Sequence, residues 1–442
     1  MLAYLRTLII RNMISPLGLA LFSSGIFLLA WVFPPDIYTY YMHEPDYVFL
    51  DLETLIYFAS CVLVFLLGAR ASSLLGALPD YGVPINKVVT STPIMFLGIP
   101  IIITTIPSII YLVQMGGKIN LLALIMSQQG EEIKYALSAG QLDVGGKWHM
   151  APLALTAVLW WSFYRSGELK LEGARKWGFR LMFLTGLAVD LYAYIATVDR
   201  ASLMPLLLGL MAVSIYKKSR ASQVSLRKML GPLIGGVTGV GATFAALQFL
   251  RGGRAFDIFV TSMMGYSIAP YNRLKVLLDG DMHYLNEGTG QYLAPYLLGE
   301  GFIPRTLGFK VFFGWPDQVT QWRSEFSANA LAGLNPGYIW AGVFGYIYSD
   351  IGWWTLLYMF LAGILIGYLW WMFRSGRAIG VVWYPWAAFW VFFWVGSNQL
   401  FSGVAVIILE TGILLTAYEH LSIRKIYEIG GLRGGLKSTA IR

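Results

Sequence analysis

Residues 251–352 hold seven Lys or Arg and eight Asp or Glu, in a chain of which only 13% of the residues are charged. Guanidinium groups suit phosphate and pyrophosphate because they can donate paired hydrogen bonds to the oxygens. The candidates for this role are Arg200, Arg251, Arg254, Arg273 and Arg305. The alternative is an ordinary ion pair, with an acid of the same segment or, for Arg200, with the adjacent Asp199.

The same segment contains side chains that could transfer a proton. The candidates are Asp257, Asp281, His283, Glu300 and Glu325. The run DGDMH at 279–283 could hold a general base, although an ordinary solvated turn is its favoured interpretation. Tyr266, Tyr271 and Trp315 could stack on the faces of sugar rings. An aromatic belt at a membrane surface would explain these three rings equally well.

The composition indicates that these residues belong to a polytopic membrane protein. Of the 442 residues, 57% are hydrophobic and only 13% are charged, whereas soluble domains carry roughly a quarter charged residues. A single cysteine, Cys61, and four scattered histidines exclude a disulfide framework and a thiolate or HExxH-type metal site. The net charge of +8 follows from membrane topology and not from nucleic-acid binding.

Ten apolar runs are long enough to cross a bilayer as helices. They are residues 14–33, 50–69, 92–113, 148–164, 179–198, 201–216, 229–250, 353–373, 379–397 and 402–418. With the N-terminus inside the cell, 21 of the 32 Lys and Arg residues fall in inside loops, as the positive-inside rule requires. An eleventh run, 335–351, would invert the last helices if it crossed, so we predict a re-entrant or interfacial segment.

The predicted fold is therefore all-α: about ten transmembrane helices, the re-entrant or interfacial helix, and a large helical loop on the outer face. Residues 1–442 form one transmembrane domain, and residues 251–352 are the outer loop within it.

Three blocks of sequence carry a resemblance to a known family. They are VDRASL at 198–203, the segment 266–302 with APYNRL at 269–274, and the segment 335–352 ending in GYIYSDIG. Together with the helix count, these blocks resemble the Wzy-type oligosaccharide repeat-unit polymerases of bacterial O-antigen and exopolysaccharide pathways. The related O-antigen ligases carry a His-Asn pair before their last long-loop helix. Residues 327–329 read Ser-Ala-Asn, without a histidine, which favours a polymerase.

The resemblance implies a GT-C-like, metal-independent and cofactor-free glycosyltransferase of the bacterial inner membrane, with a periplasmic active face. The donor would be a growing glycan on undecaprenyl pyrophosphate, and the acceptor the next lipid-linked repeat unit. Membrane lipids, a flippase and a chain-length regulator are the implied partners. The arginines named above would hold the pyrophosphate, and one of the five acid–base candidates would activate the acceptor hydroxyl.

Two other functions stay open at this level. A ligase would move the finished glycan to a different acceptor. A flippase or another transporter would use Asp190 and Glu410, which lie within predicted spans, because ionisable groups inside a membrane are functional candidates by default. An interhelical hydrogen bond would explain either carboxyl equally well.

Overall fold

The fold is known from a computed structural model. It describes residues 12–75, 93–116, 146–169, 171–197, 200–219, 256–285, 287–294, 296–297, 306–315 and 318–429, with isolated positions between 231 and 241.

The described residues form helices and no strands. The α-helices are α1 (Pro16–Trp31), α2 (Pro35–Met42), α3 (Leu52–Leu75), α4 (Pro93–Gly116), α5 (Ala151–Glu168), α6 (Gly173–Ala196), α7 (Arg200–Ser219), α8 (Phe256–Ser267), α9 (Ala269–Leu278), α10 (Phe309–Phe313), α11 (Gln318–Leu331), α12 (Gly342–Ile351), α13 (Thr355–Arg374), α14 (Ala378–Phe392) and α15 (Gly403–Ile429). Short 3-10 turns precede α5 and α13.

Nine of the ten predicted spans coincide with helices. The seventh, 229–250, lies outside the described residues apart from isolated positions. By length and composition, five segments could each cross a membrane: 52–72, 93–115, 173–196, 342–374 and 403–422. A sixth arises if α1 and α2, bent by 90° at their junction, form one broken span. The chain is a polytopic helical membrane protein, and the count of ten spans stays a prediction.

Helix α14 forms the centre of the bundle because neighbours surround it on several sides. It packs against α1, α5, α7, α13 and α15. Its indole side chains Trp386 and Trp390, and Trp394 just beyond its end, are almost completely buried. Helices α4, α5 and α6 pack against one another beside this centre.

Glycines allow α3 and α13 to pack with their backbones in contact. A Cβ added at Gly68 would lie 2.0 Å from the carbonyl oxygen of Phe360. A Cβ at Gly363 would lie 2.1 Å from the carbonyl oxygen of Phe65, and one at Gly367 2.2 Å from Ser72 Oγ. Close approach through small residues is a common way to pack membrane helices.

The run 335–351, predicted not to cross the membrane, ends in α12, which leads through the 3-10 turn into α13. Together α12, the turn and α13 make one apolar segment of 33 residues. A helix of this length measures about 50 Å, whereas a bilayer hydrocarbon core is only about 30 Å thick. This length is enough for one crossing and too short for two. The re-entrant or interfacial position of residues 335–351 stays a prediction.

A candidate carboxyl site on the outer segment

Glu325 is a buried carboxyl on α11, in the segment predicted to lie outside. Its side chain faces two tyrosines that approach from other parts of the chain and leave the residue only 6% exposed. The Tyr292 hydroxyl donates to Glu325 Oε1 over 3.0 Å, and the Tyr346 hydroxyl donates to Oε2 over 3.2 Å. Among the described residues, no Lys or Arg pairs with this carboxyl.

Three tyrosine rings form an aromatic wall beside Glu325. The Tyr284 and Tyr346 rings stack with centroids 5.5 Å apart, and the Tyr292 ring lies 5.0 Å from that of Tyr346. The Tyr284 hydroxyl donates to the carbonyl of Ile339 over 3.3 Å. The Tyr346 hydroxyl lies 3.2 Å from the same carbonyl, so its single proton is shared between Ile339 and Glu325 Oε2. Shared hydrogen bonding and stacking therefore hold the wall in one arrangement.

Burial raises the pKa of Glu325 to about 7, while the hydrogen bonds from Tyr292 and Tyr346 work in the opposite direction. Removal from water penalises the charged form, and no cation in the described part of the chain compensates it. A carboxyl with this pKa exchanges its proton near neutral pH. It can therefore serve as a general base or a general acid.

The backbone that carries Tyr292 is fixed from two sides. Asp350, at the end of α12, accepts from the amides of Gly290 and Tyr292 over 3.1 and 2.6 Å. Asn398, between α14 and α15, donates to the carbonyls of Tyr292 and Leu293 over 2.9 and 3.1 Å. These contacts tie the position of the Tyr292 hydroxyl to the helix bundle.

The other described acid–base candidates are not gathered around Glu325. Asp257, Asp281 and His283 are exposed. His283 pairs with Glu287 through a contact of 2.7 Å, also at the surface. Glu300 lies outside the described residues. Within the described ranges, no three His, Cys, Asp or Glu side chains form a group that could hold a metal ion.

Arg273 occupies a structural position and not the phosphate-binding one expected from the sequence. Its guanidinium is completely buried and forms a two-pronged pair with Glu44, at 2.8 and 2.9 Å. Its remaining N–H groups donate to the carbonyls of Ala269, Asn335 and Tyr338. All five N–H groups of the guanidinium are thus engaged within the protein, which leaves none for a phosphate.

The proposed sugar-stacking rings are dispersed. Tyr271 is completely buried, edge-on to Phe27 and Phe58, so its ring cannot meet a ligand in this structure. Tyr266 packs against Trp340, with centroids 4.7 Å apart. Trp315 stacks on Phe313 at 4.9 Å. None of these contacts joins the tyrosine wall at Glu325.

The structure does not describe the side chains of the other arginines predicted to bind phosphate. Arg251, Arg254 and Arg305 lie outside the described residues. Arg200 begins α7, but its side chain is also outside the described part.

Asn398 and Asp350 were not among the site residues predicted from the sequence. Asn398 lies in the polar interruption Ser397-Asn398-Gln399 between two predicted spans, and that interruption was its only local signal. Asp350 lies within the third block of family resemblance, where it could have been singled out.

Comparison with known proteins identifies no relative: no family model, no curated protein and no solved structure matches this chain.

Proposed function

We propose that this protein is a membrane-embedded polysaccharide polymerase in which Glu325 is the general base. It would transfer a growing glycan from undecaprenyl pyrophosphate to the next lipid-linked repeat unit at the outer leaflet. The observation that carries the proposal is a buried carboxyl whose pKa is raised to about 7 and which pairs with no cation among the described residues, in the segment predicted to lie outside. The family resemblance of the sequence supplies the substrate class.

In the proposed step, the ionised Glu325 carboxylate takes the proton of the acceptor hydroxyl. The acceptor oxygen then bonds to the anomeric carbon of the donor sugar, and the bond from that carbon to the pyrophosphate oxygen breaks. The lipid pyrophosphate leaves with the electron pair. Cations are expected to stabilise the leaving group, and Arg200, Arg251, Arg254 and Arg305 remain candidates for that role. Arg273 does not, because its donors are engaged.

Access to Glu325 requires a local movement. Two tyrosine hydroxyls occupy the carboxyl oxygens, so an acceptor hydroxyl has to replace one of them. Helix α11 would then separate slightly from the tyrosine wall when substrate binds. The exposure of Leu331 at the end of this helix, 89%, is consistent with an element that packs on one side only.

The test is incubation of the purified protein in nanodiscs with a synthetic lipid-pyrophosphate repeat unit, without added metal. We expect a ladder of lengthened products from the wild type. We expect Glu325→Gln to slow the reaction by roughly 10²- to 10⁴-fold, the usual contribution of a general base. Asp281→Asn is the matched control, since it removes an exposed acid of the same segment and should leave the rate unchanged.

The other outcomes assign the chain elsewhere. Transfer of glycan only to a second, chemically different acceptor would identify a ligase. Movement of the lipid-linked unit across a vesicle membrane, with no lengthening, would identify a transporter. A wild-type ladder with an unaffected Glu325→Gln variant would keep the polymerase and remove Glu325 as its base.

A further inference from the structure

The short turn between α13 and α14 carries two arginines at the surface of the membrane. The apolar segment that contains α13 ends at Arg374, and the apolar helix α14 begins at Ala378. Only Ser375, Gly376 and Arg377 lie between them. A turn this short between two apolar helices lies where the hydrocarbon ends, at the level of the lipid headgroups. The charge-based topology predicts that it faces the inside.

The backbone of this turn is held in place by two neighbouring helices. Gly376 takes the left-handed conformation, with φ at +71°, which ends α13. The Tyr216 hydroxyl on α7 donates to the carbonyl of Arg374 over 2.8 Å, and Arg165 on α5 donates to the carbonyl of Gly376 over 2.6 Å. The two arginines therefore start from fixed backbone positions.

Each arginine lies over the ring of a tryptophan in the last turns of α13. The guanidinium carbon of Arg374 is 5.9 Å from the ring centroid of Trp370, and that of Arg377 is 4.4 Å from the centroid of Trp371. Trp370 packs in turn against Tyr384, with centroids 5.0 Å apart. Attraction between cation and ring holds each guanidinium in place, while the N–H groups at its edge can still donate hydrogen bonds.

Neither guanidinium is engaged by another group of the described chain. Arg374 is exposed and Arg377 is half-buried. In the part of the chain that the structure describes, neither side chain forms an ion pair or donates a hydrogen bond. An exposed cation pair held in one place, with its donors unused, fits an anionic partner.

Two carboxylates lie beside the turn, but both are already paired. Glu168 and Glu419 contact Arg165, each over 2.7 Å. Lys217 also lies within electrostatic range of Glu168. The charge of Arg374 and Arg377 is therefore not balanced by these acids.

We propose that the α13–α14 turn binds the phosphate of an anionic phospholipid through Arg374 and Arg377. The committed partner is a lipid because the turn lies between two membrane helices, at the level where headgroup phosphates are found. The tryptophans would contact the glycerol and upper acyl region beside that phosphate. This site lies apart from Glu325 and does not depend on the proposed glycan chemistry.

Native mass spectrometry of the full-length protein, titrated with phosphatidylglycerol at about 0.15 M ionic strength, tests the site. We expect the double variant Arg374→Gln and Arg377→Gln to bind this lipid roughly 25-fold more weakly, about fivefold for each basic side chain at a membrane surface. Phosphatidylcholine should bind weakly to the wild type and equally weakly to the variant.

The matched control is the double variant Arg175→Gln and Lys176→Gln. It removes the same charge from exposed positions on the same predicted face. Its affinity for phosphatidylglycerol should stay close to that of the wild type, because charges farther away than about 8 Å are screened at this ionic strength.

Two further measurements separate stacking from charge and avoid dependence on a folded variant. Arg374→Lys with Arg377→Lys keeps both charges but loses the planar group, so we expect binding weaker than that of the wild type. In the unaltered protein in nanodiscs, phosphatidylglycerol with a photoreactive headgroup should crosslink to the peptide that contains residues 374–377.

Four results would overturn the proposal. Equal weakening by the control variant would mean that only general attraction to basic residues operates. Crosslinks that avoid residues 374–377 would place the lipid elsewhere. Complete displacement of the lipid by millimolar inorganic phosphate would identify a site for free phosphate. Equally tight binding of phosphatidylcholine would exclude recognition of an anionic headgroup.

Discussion

A glutamate buried among tyrosine rings keeps its charge only if hydroxyl donors replace the water that it has lost. Tyr292 and Tyr346 supply one donor to each oxygen of Glu325, which only partly offsets the burial. The pKa of about 7 reflects this balance. The proposed function needs the same balance, since a base must be ionised often enough to accept a proton and basic enough to hold it.

The raised pKa of Glu325 predicts how stability depends on pH. The folded protein holds the proton up to about pH 7, whereas an unfolded chain releases it near pH 4.3. Between these values the folded state binds more protons, so its stability falls as the pH rises, by about 4 kcal/mol in all. We expect the unfolding temperature of the wild type to fall from pH 5 to pH 7 relative to that of Glu325→Gln.

Thermal unfolding of both proteins across this pH range measures the effect. Asp281→Asn should run parallel to the wild type, because Asp281 is exposed. If Glu325→Gln shows the same pH dependence as the wild type, Glu325 is not the titrating group.

The sequence named Glu325 only as one of five equivalent candidates, because the feature that distinguishes it is tertiary. Tyr292 and Tyr346 lie 33 and 21 residues away and approach it only in the folded chain. For the same reason, the sequence could not show that the guanidinium of Arg273 is already engaged within the protein. Its partner Glu44 stands 229 residues earlier, in a different predicted loop.

At the scale of elements, Glu44 and Arg273 connect three parts of the outer face. Glu44 follows α2, Arg273 lies on α9, and both also contact Asn335, ahead of α12. Nearby, Asn335 Nδ2 donates to the carbonyl of Met42 over 2.9 Å. The pair therefore fixes the outer segment against the first helices of the chain.

A double-mutant cycle should reveal strong coupling between these two residues. Removing one member of a buried ion pair costs about 3–5 kcal/mol, because the other charge is left buried and unpaired. We expect Arg273→Met and Glu44→Gln each to lower the unfolding temperature strongly, and the double variant to lose much less than the sum.

Lys275 and Glu53 provide the control cycle. Lys275 lies on α9, as Arg273 does, and contacts Glu53 over 2.9 Å, but the Glu53 side chain is about half exposed. Exposed pairs couple by only about 0–1 kcal/mol. Equal coupling in the two cycles would contradict the structural role assigned to Glu44 and Arg273.

The packing of α3 against α13 makes a second prediction at this scale. A side chain at Gly363 cannot fit without moving the two backbones apart, because its Cβ would lie 2.1 Å from the carbonyl oxygen of Phe65. We expect Gly363→Leu to lower the yield of monodisperse protein and its unfolding temperature.

Gly25→Leu on α1 is the control, since a Cβ there has no atom within 4 Å. An intact Gly363→Leu protein would show that α3 and α13 are not in backbone contact.

The four-residue spacing of Gly363 and Gly367 can be read from the sequence as a small-residue face. Gly68, the glycine of α3 that faces this surface, cannot be identified as its partner from the sequence, because the sequence does not show which helices are neighbours.

Across the whole molecule, the sequence predicted which segments form helices better than it predicted which side chains contact one another. Apolar length alone located helices at nine of the ten predicted spans, since any helix that faces lipid or other helices must be apolar over that length. Buried ion pairs stand far apart in sequence. Arg165 on α5 pairs with Glu419 on α15 at 2.7 Å, just as Arg273 pairs with Glu44 on the outer segment.

These two pairs belong to opposite faces in the charge-based topology, which can be tested directly. In a Cys61→Ser background, single cysteines would replace three exposed residues: His283, predicted outside, and Arg175 and His420, predicted inside. Cys61 is completely buried. We expect a membrane-impermeant maleimide to label position 283 in intact spheroplasts, and positions 175 and 420 only after lysis.

Position 420 carries the decisive information about residues 335–351. If this run turned back as a separate crossing, α13, α14 and α15 would be inverted and position 420 would be labelled from outside. The continuous 33-residue segment formed by α12 and α13 supports a single crossing, as does the excess of Lys and Arg that the ten-span arrangement keeps inside. Outside labelling at position 420, with position 283 still outside, would therefore replace ten spans by eleven. It would also put Glu419 outside while Arg165, which precedes this run, stays inside, and so contradict their contact of 2.7 Å.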